Sequence, residues 1–103
     1  MPTKILLVDD SRTHRSLLKV FLAGHDFEFV EAVDGAHALV ILEKQRADLA
    51  IVDLHMPLID GIALVRRLRA SPRPDLHKLK VILLTGEKDK AQVDEAAKCG
   101  ANE

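Results

Sequence analysis

Three continuous apolar runs punctuate the chain: Ile5-Leu6-Leu7-Val8, Leu49-Ala50-Ile51-Val52 and Val81-Ile82-Leu83-Leu84. Runs of this length without alternation mark strands that are covered on both faces. They predict strands over 4–8, 49–53 and 80–85. A further strand is predicted over 27–32. There the pattern is more alternating, and Glu28 and Glu31 interrupt it, which suits a sheet edge.

Between these runs the apolar spacing turns helical. Ser11 is placed to cap a helix on which Leu17, Leu18, Phe21 and Leu22 fall on one side, with Gly24 as terminator. Asp34-Gly35 opens a second helix. Its inner face is Gly35, Ala38, Leu39 and Leu42, while Val40 and Ile41 point elsewhere. Asp60 caps a third, with Gly61, Leu64, Val65 and Leu68 inside and Arg66, Arg67 and Arg69 largely outside. The stretch 71–79, with Pro72 and Pro74, reads as a loop. A last helix is predicted over 89–99, with a thin inner face of Val93, Ala96 and Ala97 and with Gly100 as its cap.

Strand and helix thus alternate four times, which implies a parallel sheet with helices on both faces, joined by right-handed crossovers. Such sheets bind ligands outside the carboxyl ends of their strands. The apolar runs end there on Asp9 and Asp10, on Asp53, and on Thr85-Gly86.

Composition narrows the class. A chain of 103 residues suits one domain, and 48% hydrophobic residues supply its core. The net charge of −1 gives no bulk attraction to nucleic acid or anionic membrane. Six basic residues and one acid lie between Arg66 and Lys80, which reads as a solvated helix face and loop without a nucleic-acid recognition motif. The single cysteine, Cys99, cannot form an internal disulfide and fits a reducing compartment. With no apolar span of membrane length and no leader pattern, a cytoplasmic location is expected.

If Asp9, Asp10 and Asp53 converge, two carboxylates about 4 Å apart repel by about 4 kcal/mol at an effective dielectric of 20. A divalent cation relieves that, and oxygen donors without a His or Cys cluster suit a hard ion, Mg²⁺ first. A carboxylate on the floor of such a pocket can itself accept a phosphoryl group, and Thr85 offers a hydroxyl to a phosphoryl oxygen. A lone strand-end Asp is more often a cap or a solvated loop acid. Three at the ends of two neighbouring strands are harder to explain that way. His14, His25, His37 and His77 show no ligand spacing.

ILLVDD at 5–10, VDLHMP at 52–57 followed by Asp60-Gly61, VILLTG at 81–86 and CGAN at 99–102 resemble, in order and spacing, the receiver domain of two-component response regulators. The resemblance covers the whole chain. It implies a flavodoxin-like parallel sheet in the order 2-1-3-4. It implies a phosphoacceptor signalling domain in which Asp53 takes a phosphoryl group from the phosphohistidine of a histidine kinase or phosphotransfer protein. Asp10 would bind Mg²⁺ directly and Asp9 through water, with Asp53 and the backbone carbonyl of His55 as further ligands. Thr85 would be the switch hydroxyl. His55 and Glu87 occupy positions that tune dephosphorylation. The output would pass to an effector domain or protein. Family members catalyse their own phosphoryl transfer but are not enzymes in the turnover sense.

Receivers continue into a fifth strand, which carries a Lys-Pro pair, and a fifth helix. Neither has a counterpart here, and Lys88 and Lys90 have no spacing that replaces the family's lysine. Residues 1–103 are therefore expected to form a C-terminally incomplete receiver whose 80–85 strand is an exposed edge, open to homodimer formation. Two other functions are compatible with the motifs. One is an interaction or dimerisation module that no longer switches. The other is a Mg²⁺-dependent phosphatase or phosphotransferase with an Asp nucleophile, which ranks last because it needs an acid where His55 stands. His55 as the phosphoryl-accepting or metal-binding group is a further option, but the carboxylates explain a hard metal site without it.

Overall fold

The computed structural model describes residues 3–54, 56 and 59–84. Within them four parallel strands form one sheet: β1 (Thr3–Val8), β2 (Phe27–Ala32), β3 (Leu49–Asp53) and β4 (Lys80–Leu84), in the order β2-β1-β3-β4. The expected order and the edge position of β2 both hold. The helices are α1 (Arg12–Phe21), α2 (Gly35–Lys44), α3 (Gly61–Arg69) and a short α4 (Pro74–His77). The helix expected over 89–99, the Gly100 cap, Cys99, Lys88, Lys90 and the strand's last residue, Thr85, lie outside the described residues.

Alternation along β1 divides the core in two, because successive side chains leave a strand on opposite faces. Leu6 and Val8 face a large cluster with Ala50, Val52 and Val81, closed by Ala38 and Leu42 of α2 and by Leu64, Val65 and Leu68 of α3. Ile5, Leu7 and Ile51 face the other way, against Leu18 and Leu22 of α1 and against Phe27, Phe29 and Leu49. Burial on both faces is why β1 reads as an unbroken apolar run.

Each long helix starts where its cap was expected. The Ser11 hydroxyl accepts from the His14 amide at 3.3 Å, the Asp34 carboxylate from His37 at 2.7 Å, and the Asp60 carboxylate from Ala63 at 2.8 Å. After α1 the chain reverses through Gly24, whose φ of 93° lies in the left-handed region that favours glycine.

Three expectations need correction. Leu17 and Phe21 do not join Leu18 and Leu22 inside: they are 50% and 80% exposed. A shared helix face is buried only as far as something packs on it, and in α1 that is its Leu18 and Leu22 side. Ile41, expected to point away, is half-buried against the larger core cluster. Residues 71–79 are not all loop. Pro74 opens α4, where its missing N–H costs nothing, and Leu76 and Leu79 are buried in the core.

Arg69 holds this segment, donating from Nη1 to the carbonyls of His77 and Leu79 at 3.0 and 2.6 Å. Arg73 bonds Asp75 through Nε and Nη2, and the bonded guanidinium keeps the Asp75 carboxyl below its ordinary value. Arg69 and Arg73 are therefore committed to local structure.

Candidate functional site: an acidic pocket at the strand tips

The carboxyl ends of β1 and β3 lie side by side, because Val8 pairs with Val52 and each strand then delivers its acid one residue later. Sheet order reverses between these two strands, so their tips border the crevice where parallel sheets bind ligands. Asp9 is only 4% exposed and is fixed at several points. Its amide donates to the Ala32 carbonyl of β2 at 3.1 Å. Its carboxylate accepts from the Ser11 amide at 2.8 Å.

Its carbonyl accepts from Nη1 of Arg15 at 2.6 Å. Arg15 is itself buried, and its Nε donates to Glu31 of β2 at 3.1 Å. One arginine thus ties α1, the β1 tip and β2 together. Lys19 adds a 2.7 Å bond to the same Glu31. That bond, aided by the Arg15 bond and the two positive charges, holds the Glu31 carboxyl below its ordinary value despite partial desolvation.

Asp53 is half-buried at the end of β3. The chain leaves it along a fixed path: the Leu54 amide donates to the Leu84 carbonyl at 2.9 Å, and the Gly61 amide to the Leu54 carbonyl at 3.0 Å. The N-terminus of α3 therefore sits directly against the strand end. A Cβ on Gly61 would lie 2.6 Å from the Asp53 carbonyl oxygen, closer than side chains tolerate.

Ligand atoms of Asp9, Asp53 and His14 lie within 4.8 Å of one another. Fully charged, two carboxylates at that separation repel by about 3.5 kcal/mol at an effective dielectric of 20, so a cation at this point is favoured. The acids border a cavity of about 330 Å³, walled on its apolar side by Leu17, Leu18, Phe21 and Leu84.

The two expected tips do meet. Asp10, next to Asp9, is exposed, and its carboxylate is outside the three-residue group. Thr85, His55 and Glu87 lie outside the described residues. His14 was not expected here, since its sequence spacing to the acids matches no ligand pattern. It arrives because the Ser11 cap starts α1 immediately after the β1 tip, and the first helical turn carries its ring back over Asp9. Its Nδ1 is 3.4 Å from the Asp9 carboxylate.

A parallel sheet in this order, with carboxylates grouped at the β1 and β3 tips, defines a flavodoxin-like domain. The family model for the response regulator receiver domain matches residues 5–103, and the chain belongs to that family. It is similar to the chemotaxis protein CheY of Pseudomonas aeruginosa, at 40% identity over 100 residues that cover 96% of this chain and 79% of that protein. The signal receiver domain of a signal transduction histidine kinase from Syntrophus aciditrophicus has a crystal structure that matches with a TM-score of 0.80. It is 40% identical, and the match covers 97% of this chain and 74% of that one. The Mn²⁺-bound form of response regulator Rcp1 matches with a TM-score of 0.83 at 27% identity, covering 98% of this chain and 78% of that one.

Proposed function

We propose that the domain is a phosphoacceptor in a His-Asp phosphorelay and that Asp53 is the acceptor. A carboxylate oxygen of Asp53 attacks phosphorus, a new O–P bond forms, and the N–P bond of the donor phosphohistidine breaks. The imidazole leaves with the bonding electron pair and takes a proton. The observation that carries this is the grouping of Asp9 and Asp53 at adjoining strand tips beside an open cavity, in a chain of the receiver family.

Two carboxylates within 4.8 Å of each other, one of them buried, suit a hard divalent ion. Asp10 and Asp53 would hold Mg²⁺ directly and Asp9 through water, with the His55 carbonyl completing the set. When bound, the ion offsets charge on the transferring phosphoryl oxygens. The Mn²⁺-bound receiver neighbour supports a divalent site on this fold. Asp9 is held in place by Arg15 and Ser11, so the water it would hold toward the ion would have a preset partner.

Thr85 would answer the phosphoryl group as the switch hydroxyl, with His55 and Glu87 setting how long it persists. Phosphorylation adds about −1.5 to −2 charges at one point, which changes the affinity of the surrounding surface for an effector. The domain turns over no substrate of its own and works in the cytoplasm between a histidine kinase or phosphotransfer protein and that effector. Among the described residues β4 has β3 as its one strand neighbour, and pairing of β4 edges would give a homodimer, which light scattering of the purified chain would register.

Incubation with a small acyl phosphate and Mg²⁺ tests the central step. Intact mass should rise by one phosphoryl group, and Asp53→Asn should abolish the gain. Equal incorporation in the variant, or none in the native chain, would remove Asp53 from this role.

A further inference from the structure

Among the described residues six large apolar side chains stand exposed, and three of them, Leu17, Phe21 and Leu84, border the cavity that holds Asp53. We propose that this apolar wall is a leaving-group site for small acyl phosphates, and that among such donors the domain prefers those whose acyl group is apolar and flat, an aroyl phosphate before acetyl phosphate. The inference rests on Asp53 as phosphoacceptor and adds to it the class of small donor that the pocket selects.

The wall is built from two elements. Leu17 and Phe21 are four residues apart on α1 and share one side of it. Leu18 beside them packs half-buried on Ile5, Leu7 and Ile51 and anchors that side to the sheet. Leu84 ends β4, where it pairs with Asp53 of β3. Acids and apolar wall therefore bound one space. Single exposed apolar side chains are ordinary on a protein surface. Grouped beside a reactive carboxylate around about 330 Å³, they match the make-up of a small-molecule site, mostly apolar with few placed polar groups and roughly 300–1,000 Å³ in size. Phe21 is 80% exposed and Leu17 50%, so a flat ring laid on them takes apolar area out of water on both partners.

The chemistry places the acyl group on that side of the reaction. An Asp53 oxygen attacks phosphorus in line with the bridging oxygen of the donor. A new O–P bond forms, the bond from phosphorus to the bridging oxygen breaks, and the acyl carboxylate leaves with the electron pair. No proton has to move. The leaving group stands on the far side of phosphorus from Asp53, so the part of the cavity beyond the acids receives it. The competing explanation is that Leu17 and Phe21 are surface residues with no part in donor choice.

Phosphorylation rates with benzoyl phosphate and, separately, acetyl phosphate distinguish the two, read by intact mass of the full chain with Mg²⁺ at fixed pH and salt. The native chain, Phe21→Ser, Leu17→Ser and Val20→Ser would be compared. Val20 is the control, since its side chain is 72% exposed on the same helix yet lies outside the cavity's described lining. The native chain should react about tenfold faster with benzoyl phosphate. That ratio should fall about fivefold in Phe21→Ser and in Leu17→Ser and stay within about twofold of native in Val20→Ser. A native ratio near one, or the same ratio in all four chains, overturns the inference and leaves Asp53 standing as acceptor. An equal fall in all three variants also overturns it, because the wall would then have no special part. No incorporation from either donor overturns the acceptor role and the inference together.

Discussion

Gly61→Ala tests how tightly the third helix is set against the strand that ends on Asp53. The added Cβ would lie 2.6 Å from the Asp53 carbonyl oxygen, 2.9 Å from Leu83 Cδ2 and 3.0 Å from Leu54 Cα. The first contact is about 0.7 Å short of ordinary carbon–oxygen approach. Leu83 can turn aside, but the Asp53 carbonyl and the Leu54 Cα belong to the backbone. The Gly61 amide is also bonded to the Leu54 carbonyl at 3.0 Å, so helix and strand end cannot separate without losing that bond.

Overpacking of this kind costs roughly 1–3 kcal/mol. Alanine's better helix propensity returns at most about 1 kcal/mol, and less in a first turn. A net loss of about 1–2 kcal/mol remains, which lowers the melting temperature of a domain this size by roughly 5–15 °C. Gly35→Ala is the comparison: its closest contacts are side-chain atoms of Ile59, at 2.9 and 3.0 Å, with a backbone oxygen at 3.1 Å. It should cost less. Thermal unfolding followed by circular dichroism gives both values. The divalent affinity of Gly61→Ala should fall as well, because the displaced carbonyl is that of Asp53. A Gly61→Ala chain as stable as the native one, or more stable than Gly35→Ala, would refute the close approach.

Arg15→Met keeps the apolar stem but removes the bonds to the Asp9 carbonyl and Glu31, and should cost about 1.5–3 kcal/mol in urea unfolding with weaker divalent binding. The Glu31 carboxyl sits below its ordinary value in the folded state, so its contribution is complete above about pH 4.3 and is lost as pH falls through the lowered value. Its side chain is 36% exposed and screened by solvent, so that contribution is about 0.2–1 kcal/mol. The melting-temperature gap between native and Glu31→Gln chains should therefore narrow between pH 7 and pH 3, and a constant gap would refute the assignment. Leu68→Ala, at a side chain 1% exposed, should cost about 2–5 kcal/mol, whereas Phe21→Ser, at one 80% exposed, should stay within about 0.5 kcal/mol in the same unfolding assay.

What was legible in the sequence was whatever a few neighbouring residues decide. Ser11, Asp34 and Asp60 cap their helices because a short oxygen-bearing side chain bonds an amide three residues on. The strands were legible because burial on both faces leaves an unbroken apolar run. What a residue packs against was less so. Leu17 and Phe21 share a face with Leu18 and Leu22 by periodicity, yet they remain exposed. Period fixes which side chains point together, and only tertiary packing decides where along that face the cover ends. Pro74 reads as a breaker along the sequence, yet proline fits a helix's first position, and the apolar pair Leu76 and Leu79 is the signal for a buried turn.

The pocket shows the same division at the scale of function. Asp9 and Asp53 could be placed together from sequence because parallel strands in this order put their carboxyl ends side by side. His14 could not, because its path to Asp9 runs through a cap, one helical turn and an arginine bonded to the strand tip. None of those links is a ligand motif, and each is an ordinary structural contact. Together they carry an imidazole to within 3.4 Å of the buried acid. The carboxylates are thus placed by the sheet itself, through the pairing of Val8 with Val52, which any receiver with these strand ends would share. The imidazole is placed by one side chain on the first turn of α1, where a substitution can remove it from the pocket without disturbing the sheet.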